Sequence, residues 1–153
     1  MATERQLDKV LEVSGMRRDD CLRALGQARQ ALDQGRQQLE QLQSYANESQ
    51  TRWNHRASQG VTAQLLYHHR QFMARIDEAA RFQQDVLKRL EAEVQRCEQL
   101  AFEAERELAA LNKFAERKRQ ATLQALERQD QKHNDEMAAN AHRRQASTQP
   151  WRP

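Results

Sequence analysis

Residues 56–66 read RASQGVTAQLL, and their reading decides how the rest of the chain is arranged. Gly60 can take a positive φ at the end of one helix, and Thr62 can cap the first turn of the next. On that reading the chain reverses direction here. The alternative is one uninterrupted helix that tolerates Gly60 at about 1 kcal/mol, a rod of about 200 Å that must dimerise to cover its apolar face. Dilution separates the two, because only the folded-back form keeps one hydrodynamic radius as a lone molecule.

Working outward from the turn, steps of three and four pick out an apolar stripe on each side. Before it lie Leu7, Leu11, Ser14, Arg18, Cys21, Leu25, Ala28, Leu32, Gly35, Leu39, Leu42 and Ala46; after it, Leu66, His69, Met73, Ile76, Ala80, Gln83, Leu87, Leu90, Val94, Cys97, Ala101, Ala104, Leu108, Leu111 and Ala115. A repeat near 3.5 residues implies a gentle left-handed supercoil. The expected fold is therefore all-α, a long antiparallel two-helix coiled-coil hairpin in one unit, residues 1–146. Helix one covers about 3–58, the turn lies near 59–61, helix two covers about 62–146, and 147–153 form a frayed tail.

Folding the chain at residue 60 sets Leu7 opposite a residue near 113, so helix two has no internal partner beyond that point. The unpaired part, about Phe114 to Ala146, spans about 45 Å, and its stripe decays to Ala115, Lys118, Thr122, Ala125 and Gln129. Within it RQDQKHNDEMA (residues 128–138) is polar on every side yet contains no helix breaker. Such a segment is marginally helical alone and suits a surface completed by another protein. The same folding brings Cys21 and Cys97 within about a turn of each other, where two packed free thiols are expected.

The bulk properties exclude several classes. With mean hydropathy of -1.07 and 5% aromatic residues, the chain lacks material for a globular core but has enough for a stripe between helices. Its net charge of +3 comes from mixed signs along the whole length, a surface laced with salt bridges instead of a basic stripe. Arg117, Lys118 and Arg119 motivate a nucleic-acid reading, but Glu116 and Glu127 interrupt them and no dense basic run follows. No nucleic-acid partner and no membrane insertion are expected, and the default location is cytoplasmic. His68 and His69 are adjacent and point about 100° apart, while His133, Asp135 and Glu136 lack the i, i+4 histidine pair of a helical zinc site. No phosphate-binding loop or nucleophile elbow occurs, so no catalytic, cofactor-binding or metal residue is expected, and the chain reads as a non-enzyme.

One excess stands out at the start of helix two. Phe72, Ile76, Ala79 and Gln83 form a second ridge at steps of four, three and four beside the stripe Met73, Ile76, Ala80 and Gln83. Two readings stay open: Tyr45 and Trp53 of helix one cover it as core, or it is a docking patch for a partner.

The chain resembles the flagellar type III export protein family FliJ. The resemblance rests on length and layout, on LLYHHRQFMARIDEAARFQ (residues 65–83), which is similar to the family's Tyr-x-x-Phe segment, and on DQKHNDEMA (residues 130–138), which is similar to its Gln-Lys-x-x-Asp-Glu signature. It implies a helical hairpin similar to rotary-ATPase stalks, peripheral at the inner-membrane face of the flagellar basal body. The implied partners are the export ATPase ring, the cytoplasmic linker of the export gate, and export chaperones that the protein escorts. By position, Phe72, Ile76, Ala79 and Gln83 would contact the gate, with glutamine at the last position where the family often has histidine. Gln131, Lys132, Asp135 and Glu136 would face the ATPase. The equivalent stalk protein of a virulence injectisome shares this layout, and a generic coiled-coil scaffold is the alternative of a different class.

Overall fold

The computed structural model describes residues 2–148. They form two long helices packed against each other, α1 (Ala2–Ala57) and α2 (Ala63–Thr148), with no strand among the described residues. The protein is all-α, as a sequence rich in Ala, Leu, Gln, Glu and Arg requires.

Local chemistry ends α1 and starts α2. Arg56 occupies the last turn of α1, where a cation complements the dipole. The Ser58 N–H donates to Asn54 O, Gln59 N–H to Arg56 O and Gly60 N–H to Ala57 O, all at 3.1 Å. Gly60 then takes φ +94°, a value that excludes residues with a Cβ at low cost and stops the helix. Two residues on, Thr62 Oγ1 accepts from the Leu65 N–H at 3.2 Å, satisfying a donor that the first turn of α2 leaves open.

The chain divides into two compact units, Met1–Leu11 with Glu107–Pro153, and Glu12–Arg106. Within Glu12–Arg106 the helices run antiparallel: Arg29 pairs with Glu98 at 3.3 Å, Arg36 with Glu91 at 3.9 Å, and Gln50 Oε1 lies 3.4 Å from His69 Nε2. Its core is Leu25, Leu32, Val94, Cys97 and Ala101, with Cys21, Ala28, Leu87 and Leu90 packed against it. Both thiols are free. Each of these members belongs to the three-four stripe, so burial follows the periodicity.

The unit Met1–Leu11 with Glu107–Pro153 is thinner. Leu7 and Asp8 share a groove with Ala115, Lys118 and Thr122, Ala115 is 2% exposed, and Arg119 Nη2 reaches Asp8 Oδ1 at 3.4 Å. From Glu116 to Thr148 every residue is exposed. Packing thus continues past Phe114, where simple folding about residue 60 ends it. Side chains that cross between the helices meet on either side of the mirror position: Arg36 reaches Glu91, beyond residue 84, whereas Gln50 meets His69, short of residue 70, and Tyr45 meets Phe72, short of residue 75. At the far end α2 includes Ser147 and Thr148, whose hydroxyls donate back to Arg144 O at 2.9 and 3.0 Å. The rest of the tail read for 147–153 lies outside the described residues.

Candidate interaction surfaces

Near the start of α2 the four residues of the second ridge do not act as one surface. Ile76 is 8% exposed and lines a shallow groove with Met73, Ala80, Leu42 and Ala46. Gln83 turns inward, its Nε2 donating to Gly35 O at 3.0 Å and to Gln38 Oε1 at 3.1 Å. Gly35 itself lies close under α2: a Cβ there would sit 3.0 Å from Leu87 Cδ2 and from Leu90 Cδ1. Phe72 and Ala79 face outward. Phe72 is 39% exposed, and the ring of Tyr45 meets it edge-on at 5.9 Å. Trp53 covers a different residue, stacking on His69 at 4.2 Å with the rings 5° apart. Tyr45 and Trp53 therefore cover part of the apolar excess, and neither removes Phe72 from solvent.

Phe82, 68% exposed, is the large aromatic that the ridge of four leaves out. Its signal is present in the sequence as a step of three from Ala79, which joins it to Phe72, Arg75 and Val86 at alternating three and four spacing.

The second candidate surface lies on the exposed part of α2. Gln131, Lys132 and Asp135 line a shallow groove with Arg128 and Gln129, and Glu136 is exposed beside them. Charges here are not spent on one another, whereas elsewhere on α2 Arg81 holds Asp77 at 2.9 Å and Arg96 holds Glu93 at 2.6 Å.

Among the described residues one cluster shows shifted titration. The guanidinium of Arg96 hydrogen-bonds Glu93 and holds its carboxyl below the usual range, and the same bond raises Arg96. Burial pushes the Cys97 thiol up, and the Glu93 carboxylate adds to this. Such a thiol is a packing group with little thiolate character. Among the described residues no three His, Cys, Asp or Glu side chains gather where they could hold a metal, and no helix is long and apolar enough to cross a membrane. Both candidate surfaces are shallow and open, suited to contact with another macromolecule.

The family model described as flagellar FliJ protein matches residues 3–147, nearly the whole chain. No curated protein and no solved structure matches it.

Proposed function

Because this chain belongs to the flagellar FliJ family, a non-catalytic component of flagellar type III protein export, we propose that it works by binding alone, as a coiled-coil hairpin linking the export ATPase ring to the export gate. In this reading the outward side of the Phe72–Gln83 segment meets the cytoplasmic linker of the gate. The exposed end of α2, with Gln131, Lys132, Asp135 and Glu136, faces the ATPase ring. Export chaperones are further partners, and the site of action is the cytoplasmic, inner-membrane face of the basal body.

The observation that carries this reading is the contrast along α2. Its stripe is buried as far as Ala115, while Glu116 to Thr148 remain exposed throughout. An exposed helix with little apolar surface gains order when a partner supplies the missing face, so binding and ordering are coupled. Any effect on ATP hydrolysis or on the gate arises because the protein binds one state of its partner better than another.

The test is a pull-down with purified export ATPase and gate domain, comparing the wild-type chain, Phe72→Ala and a chain ending at Thr122. Phe72→Ala loses the gate and keeps the ATPase, and the shortened chain does the reverse. Wild-type binding by both variants removes the site assignments, and failure of the intact chain to bind either partner removes the linking role.

A further inference from the structure

We propose that the gate-facing surface is an arginine-bordered apolar ridge made by Phe72, Arg75, Ala79, Phe82, Val86 and Arg89, and that its occupant is an amphipathic helix with carboxylates beside its apolar residues. The inference rests on the gate-docking reading above and changes which residues carry it. Ile76 and Gln83 are already engaged, one buried in the contact with α1 and one hydrogen-bonded to Gly35 O. Rotating the surface outward by one row leaves Phe72, exposed Ala79, Phe82 at 68% exposure and half-buried Val86, with Tyr45 of α1 widening it at the Phe72 end.

Three features select the occupant. Steps of three, four, three, four and three make a row that meshes with the side-chain rows of another helix, over roughly 25 Å from Phe72 to Arg89. Arg75 and Arg89 are exposed and form no ion pair among the described residues, while Arg29, Arg36, Arg81 and Arg96 each hold a carboxylate. Glu78 and Asp85, within one turn of them, form no ion pair with either. Two unneutralised guanidinium groups flanking apolar side chains favour a partner that places carboxylates at the rim. A second copy of this chain fits poorly, since its own ridge carries arginines and no carboxylate to meet them.

The experiment measures binding of the intact chain to the gate linker, to a designed helical peptide with leucines at three-four spacing flanked by glutamates, and to the same peptide with lysines for the glutamates. Wild type binds the first two and not the third. Phe82→Ala weakens both by roughly tenfold, and the double variant Arg75→Glu, Arg89→Glu loses the glutamate peptide and gains the lysine one. Both variants stay helical, because these side chains face solvent. The inference is overturned if both variants bind like wild type, if the lysine peptide binds wild type equally, or if neither the linker nor the glutamate peptide binds. Binding of the glutamate peptide without the linker keeps the ridge and its charge preference and removes the gate as its partner.

Discussion

Ser14 is 7% exposed, and its hydroxyl has no hydrogen-bond partner among the described residues. A desolvated hydroxyl that forms no bond costs more than it contributes, and alanine is the better helix former. Ser14→Ala should raise stability by about 0.5–1.5 kcal/mol, read as a higher midpoint in urea with an unchanged slope. Two glycines in α1 separate local propensity from packing. At Gly26 a Cβ meets nothing within 4 Å, so Gly26→Ala should stabilise by up to about 1 kcal/mol. At Gly35 a larger side chain drives into Leu87 and Leu90, so Gly35→Val should destabilise by roughly 1–3 kcal/mol. Equal effects at the two sites would mean that α2 does not press on Gly35. The cysteines differ in the same way. Cys97 is 4% exposed with a raised pKa, whereas Cys21 is only half-buried. Near neutral pH an alkylating reagent should modify Cys21 first, by mass spectrometry, with Cys97 following as pH rises above the usual thiol range. The Glu93–Arg96 bond has the opposite dependence: with the carboxyl pKa lowered, its contribution is present above the ordinary carboxylate pKa and is lost as acid takes pH through the lowered value.

At the scale of the element, α2 is one continuous helix with two kinds of environment. Residues Leu87 to Ala104 contribute to the buried stripe, while Leu123 to Thr148 are exposed throughout and show only local side-chain contacts, such as Ser147 Oγ donating to Arg144 O at 2.9 Å. Helices of this composition without a packed face open readily. Amide exchange should therefore be fast throughout 123–148 and slow in 87–104, and uniform protection along α2 would contradict the absence of packing seen here. Ion pairs that cross between helices, such as Arg29–Glu98 and Arg36–Glu91, join side chains about half exposed. Each is expected to contribute about 0.2–1 kcal/mol at most, so they set register more than stability.

For the whole molecule, the buried cluster of Glu12–Arg106 is made within one chain, and this decides how it should behave in solution. Mild oxidation of the pure protein should join Cys21 to Cys97 intramolecularly, because both pack in one cluster; a covalent dimer on a non-reducing gel would favour the end-to-end rod. Removing the residues after Thr122 should leave the thermal midpoint nearly unchanged, because none of those described is buried. A large drop would show that they support the packed part of the chain.

The all-α class, the turn chemistry and the buried stripe were legible without coordinates because they depend on local codes: helix-forming residues, the positive φ open to Gly60, the cap at Thr62, and apolar residues three and four apart. Family membership, which the match over residues 3–147 shows, was read from segments 65–83 and 130–138. The ridge proposed for docking was only half legible. Neighbouring rows on a helix differ by a small rotation, and periodicity alone does not say which of them the partner helix uses. Only the packed pair shows that Ile76 and Gln83 are taken up by α1 while Phe72, Ala79 and Phe82 are left to solvent.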